Sequence, residues 1–141
     1  RKTTMRLTIL LLTGLLLSTS ALAFDYEFKG TVAELEDLVI NKNGVRLNNF
    51  SLGESKSYSS KSLSNLDVSF SARNKNDKSR HFVLMATGLD SRGKHLWLFN
   101  AAPMFSTISG NKTEAVNADP YILTGTLKKT AQVWVKVVGD F

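Results

Sequence analysis

The chain has 141 residues, no cysteine, 43% hydrophobic residues and a formal net charge of +6, with 18 Lys and Arg against 12 Asp and Glu. Its length suits a single domain with a core of its own, and the missing cysteine excludes any disulfide framework. Three of the basic residues (Arg1, Lys2 and Arg6) lie within the first 23, so 15 basic residues face 12 acidic ones in the remaining 118, a balance of +3 that is too thin and scattered for a surface tracking nucleic-acid phosphates.

Residues 1–23 read as a secretory signal peptide. They combine a basic start, an apolar run over residues 7–17 broken only by Thr8, Thr13 and Gly14, and the small-x-small exit Ala21-Leu22-Ala23. The run is shorter than the roughly 20 apolar residues needed to cross a bilayer. Met5 is the expected translational start and Phe24 the expected first mature residue. With no cysteine near the cleavage point to carry a lipid, no stable membrane insertion is expected after cleavage. An exported domain without disulfides points to a bacterial periplasm or exterior.

The mature chain, 24–141, is expected to be one β domain. A first strand could run over 28–35, although residues 33–38 could equally coil into a helical turn. Asn43-Gly44 is a two-residue hairpin turn, which pairs Lys42 with Val45 and Ile40 with Leu47. The polar stretch 48–65 reads as a strand or two with polar loops. Over 66–74, Leu66, Val68, Phe70 and Ala72 alternate with Asp67, Ser69, Ser71 and Arg73, the period of a half-buried strand.

A turn at 74–78 leads to a mostly apolar strand over 80–89, and a loop at 90–93 closes a hairpin onto 95–100. Residues 104–108 and 113–117 are expected to form a third hairpin about Gly110-Asn111. The last strand, 132–138, places Val133, Val135 and Val137 on one face and Trp134 beside Lys136 on the other. Seven or eight short strands at this spacing describe an all-β sandwich or barrel.

Residues that could carry chemistry are few. His81 and His95 fall far apart along the 80–89 hairpin, and no His-x-His or His-Glu-x-x-His spacing suggests a zinc site. His81, Met85, His95 and Met104 have the ligand types that suit copper, which makes a copper or small-ligand carrier the alternative reading. No nucleophile elbow or paired-carboxylate pattern identifies a catalytic residue, so no catalytic site, metal or cofactor is assigned.

The hairpin is apolar on both sides. Phe82, Trp97 and Phe99 share one face, with Trp97 and Phe99 expected opposite Ala86 and Leu84; Val83, Met85, Thr87, Leu96 and Leu98 share the other. One face must be core and the other needs a cover, so Phe82, Trp97, Phe99 and Trp134 form the candidate partner surface.

From Leu66 onward, the order of strand, Asn74-Lys75-Asn76 turn, apolar strand, Asp90-x-x-Gly93 hairpin, turn and Val-rich terminal strand resembles bacterial extracytoplasmic immunoglobulin-like modules of the FxLYD kind. The resemblance covers about half the chain. Where that family has an aromatic-Leu-Tyr-Asp strand, this chain has residues 83–90 with no Tyr. The resemblance implies an immunoglobulin-like antiparallel sandwich with a binding or architectural role through a protein partner, and no catalytic residue to carry over.

Overall fold

A computed structural model describes residues 24–141; the expected signal peptide, 1–23, lies outside the described residues. Among the described residues, ten antiparallel strands form two sheets that pack face to face. Seven strands have six or more residues, and the excess over the expected seven or eight comes from short pieces: β2 (Ile40–Lys42), β7 (Thr107–Ile108) and β9 (Tyr121–Leu123).

Sheet A runs β1 (Phe24–Gly30), β10 (Gln132–Gly139), β5 (Arg80–Leu89), β6 (His95–Ala101), with β7 continuing along β5. Sheet B runs β2, β3 (Val45–Lys56), β4 (Leu63–Asn74), β8 (Thr113–Ala118), with β9 continuing along β4. The Asn43-Gly44 turn pairs Lys42 with Val45 and Ile40 with Leu47, as the spacing requires. Both turn residues have positive φ, 47° at Asn43 and 80° at Gly44, which suits Asn-Gly.

The polar stretch before β4 holds a longer strand than its composition suggests. In β3 the inward positions are Val45 and Leu47, then Phe50 and Leu52. The change of phase comes from a bulge between Asn48 and Ser51, where Asn49 takes a left-handed φ of 56° and adds one residue. The bulge swings Phe50 into the core. There it stacks on Phe70 at 5.2 Å, Phe70 meets Phe82 of the opposite sheet at 6.3 Å, and Phe82 meets Phe141 edge-on at 6.1 Å.

The first strand ends at Gly30 because Thr31 starts a helical turn, α1 (Val32–Glu36). Thr31 Oγ1 accepts the Glu34 N–H at 3.2 Å and the Glu34 carboxylate accepts the Thr31 N–H at 2.7 Å, a capping box that satisfies two of the helix's free donors. Leu35 is its buried anchor, and α1 packs on β3 beside one open side of the sandwich.

The expected hairpin about Gly110-Asn111 does not form. β7 pairs with β5 in sheet A and β8 with β4 in sheet B, so residues 109–112 carry the chain from one sheet to the other. The reason is the buried amide of Asn74. Its Nδ2 donates to the carbonyls of Lys78 (2.8 Å), Ile108 (3.2 Å) and Ser109 (3.3 Å), and its Oδ1 accepts from the Asn76 N–H at 2.9 Å. The Asn111 N–H adds a 2.8 Å bond to the Asn76 carbonyl. Gly110 presses so closely on the Asp77 carbonyl that a Cβ there would overlap it. The crossing loop is held to the 74–78 turn rather than to itself.

The β5–β6 hairpin is closed by Asp90, whose N–H donates to the Lys94 carbonyl at 2.9 Å and whose Oδ1 accepts from Arg92 and Lys94 at 2.8 and 2.9 Å. Leu96 is an extra residue in β6. Trp97 faces Gly88 and Phe99 faces Ala86, two residues from the expected register, one from the tighter turn that sets His95 opposite Leu89 and one from this bulge. A shift of two preserves which face each side chain takes.

Gly88 has no side chain, and the Trp97 indole occupies that space, with its Nε1 donating to Thr130 Oγ1 at 2.9 Å. Gly88→Ala puts a methyl group inside the indole and is expected to cost about 3 kcal/mol, as overpacking of a tight core does. Asn74→Ala removes a donor from buried carbonyls and is expected to cost about 3 kcal/mol. Urea unfolding of each purified variant checks both values, with Ser69→Ala on the exposed face as an unaffected control.

Candidate functional site

Strand parity decides where the candidate residues go. In β5 the even positions point inward, in β6 the odd ones from Trp97 onward, and in β10 the odd ones. Phe82, Trp97 and Phe99 are consequently core residues, 1%, 5% and 7% exposed, while Trp134 lies on the opposite side of the sheet, 38% exposed. The four aromatic residues expected to share a partner surface do not share a face. Three of them fill the space between the sheets, and the reverse face of the hairpin is the one left open.

That open face has a regular layout. One cross-strand row reads Lys29, Trp134, Thr87, Leu98, and the next reads Glu27, Lys136, Met85, Asn100. Between them lies a shallow groove of about 300 Å³, bordered by Trp134, Met85, Leu98 and the stem of Lys29. A second shallow groove of about 370 Å³ lies beyond Leu98, beside His95 and Leu96. Leu98, 74% exposed, is the ridge between the two.

Charge is confined to the β1 side. Lys29 Nζ sits 4.3 Å from the centre of the Trp134 ring, a cation–π contact. Lys136 Nζ lies 3.0 Å from Asp25 Oδ2 and 3.6 Å from Glu27 Oε1. The hydrogen bond to Asp25, then the charge of Asp25 and that of Glu27, hold the Lys136 ammonium above its ordinary pKa. The border is locally neutral, and the apolar centre has no buried charge to satisfy.

The outer face of sheet B exposes Tyr121 and Leu123 at β9 and is polar where β3, β4 and β8 meet. Ser51, Gly53, Asp67, Ser69 and Asn117 line a polar hollow there, without an aromatic residue. Ser57 to Ser62 form another polar region at the β3–β4 tip, where Ser57 and Ser60 each accept the N–H two residues on.

The two histidines singled out for copper each have another partner. His81 Nδ1 lies 2.9 Å from Asp140 Oδ2, and His95 Nδ1 lies 2.9 Å from Thr87 Oγ1. Because His95 faces Leu89, the two imidazoles are about 26 Å apart at roughly 3.3 Å per residue along β5. Among the described residues, no three His, Cys, Asp or Glu side chains come together as a metal site. No helix among the described residues is long and apolar enough to cross a membrane.

No known protein-family model matches the chain, and a search of curated proteins finds no match. What the fold defines is an all-β sandwich of two antiparallel sheets.

Asp140 ties the end of β10 to the start of β5. Burial pushes its carboxyl up, but the His81 N–H at 2.6 Å, the His81 ring and the nearby charges of His81 and Arg80 outweigh it and hold the carboxyl below its ordinary value. A lowered folded pKa means that this stabilisation is complete above the unfolded value of about 3.9 and is lost as pH falls through the folded one. Asp140→Asn is expected to be less stable than the parent at pH 7, with the gap closing once pH drops below the ordinary carboxylate range. Urea midpoints measured down the pH scale check this, and a gap that does not change with pH would contradict it.

Proposed function

We propose that the chain is an exported, non-enzymatic immunoglobulin-like β-sandwich module that acts through protein–protein contacts in a bacterial envelope or outside the cell. The outer face of sheet A is its contact surface. The carrying observation is the groove on that face, where Trp134, Met85 and Leu98 are exposed beside a locally neutral charged border. An apolar centre with a polar rim and a Trp anchor is the composition of a protein interface.

The signal-peptide pattern of residues 1–23 supports export, and the strand order from Leu66 onward supports the immunoglobulin-like type. Both surface grooves are open and shallow, which favours a broad partner over an enclosed small ligand.

A photoreactive amino acid placed at Met85 tests the surface directly, with one at Ser69 on the polar face as control. Irradiation of producing cells is expected to give a discrete crosslinked protein from position 85 and none from position 69. Identical patterns from both positions would sink the assignment.

A further inference from the structure

Sheets A and B have four edges, and three of them are guarded. The β1 edge carries Asp25, Glu27 and Lys29 on its outer face. At the β2–β3 edge, β2 has three residues, β3 is bulged at Asn49, and α1 packs alongside. The β8–β9 edge is interrupted at Pro120 and carries Glu114 and Asp119. Charges, bulges, short strands and proline are the means by which proteins blunt an edge.

The β6 edge lacks the charges and proline of the other three, although β8 of sheet B approaches it from the side. His95–Ala101 contains no Lys, Arg, Asp, Glu or Pro. Among the described residues, its backbone bonds to no element other than β5. The chain then leaves the sheet at residues 102–106, five residues facing two of β5, before rejoining it as β7. On this excursion Met104 and Phe105 are 77% and 91% exposed, and Phe105 and Ser106 hold left-handed φ angles of 54° and 56°. With Leu98, three of the most exposed apolar side chains of the domain lie along one edge.

We propose that two copies of this chain pair through β6, antiparallel about Leu98, to make one continuous sheet. Free backbone N–H and C=O groups along an edge are satisfied by another strand, so the occupant is extended chain. The β6 sequence is complementary to itself. Centred on Leu98, the pairing sets Leu98 against Leu98 of the second copy on the outer face, and Trp97 beside Phe99 of the second copy on the core side. No like charges meet. The same operation on β1, centred on its middle residue, would oppose Glu27 to Glu27.

The register also accounts for the exposed loop. Past Ala101 the excursion 102–106, already out of the sheet, lies at the end of the paired strands, beside the turn of the second copy that carries Arg92 and Lys94. Aromatic and cationic groups attract at such a contact. Each copy has one β6 edge and the pairing uses both, which closes the assembly at two copies.

The pairing shares Leu98 with the proposed partner surface but rests on the backbone edge of β6, and Met85 and Trp134 lie outside it. Sedimentation velocity of the purified protein tests it with Leu98→Lys and Leu98→Glu. The parent is expected at twice the monomer mass, each variant alone at the monomer mass, and an equal mixture of the two variants back at twice that mass. The exposed position keeps the core untouched, and an unchanged far-ultraviolet circular dichroism spectrum verifies the fold.

A parent that stays monomeric as concentration is raised, variants that still dimerise, or a mixture that stays monomeric would each overturn the pairing. So would a monomeric parent that takes up an added extended peptide along β6. None of these outcomes bears on the crosslink from Met85.

Discussion

The side-chain amide of Asn74 is the constraint on which the two-sheet arrangement depends. It is fully buried at the end of β4, where the chain leaves sheet B for sheet A, and it holds the carbonyls of Ile108 and Ser109, where the chain returns. Both crossings are therefore fastened at one point. Neighbouring bonds widen that point: Asn76 Nδ2 donates to the Asn43 carbonyl at 2.9 Å, and the Lys75 N–H donates to the Gly44 carbonyl at 2.8 Å. Three loops at one end of the sandwich thus share a network in which the buried groups have partners, the condition under which buried polarity specifies a fold.

Strand parity then distributes the apolar residues. Val133, Val135 and Val137 from β10, Phe82, Leu84 and Ala86 from β5, and Trp97 and Phe99 from β6 all turn toward sheet B. The Trp97 ring lies over Gly88 and stacks on Phe99 at 5.6 Å, while its N–H reaches Thr130 just before β10. Every inward place on sheet A is filled, so the apolar residues at the outward places, Met85, Leu98 and Trp134, have nowhere inside to go. The exposed face is a product of sequence, not of a gap in packing.

Much of the fold was legible because alternation with period two needs only local reading. β4, β5 and β10 and the Asn43-Gly44 hairpin follow from their own residues. The 12-residue span of β3 was harder, since its alternation changes phase at Asn49, and a phase change looks like a loop to any rule that counts every second residue. Thr31-x-x-Glu34 was a readable capping box that separates β1 from α1. The sheet change between β7 and β8 was not readable, because Asn74 lies 34 residues from Ile108 in sequence. For the site, the sequence showed two apolar faces on one hairpin. Which of them is core depends on the side that sheet B covers, a long-range fact, so Trp97 and Trp134 were indistinguishable until the strands were paired.

The order of strands in sheet A has a consequence for how the chain reaches this state. β10 is the last strand along the described chain, yet it lies inside the sheet, between β1 and β5. Until residue 139 is available, the first strand has no neighbour and sheet A exists only as a hairpin with one unsupported side. Pairing β1 with β10 joins segments more than 100 residues apart, so loop closure must come late and slowly. Sheet A of the nascent chain is thus left incomplete by its own topology until synthesis has delivered the closing strand.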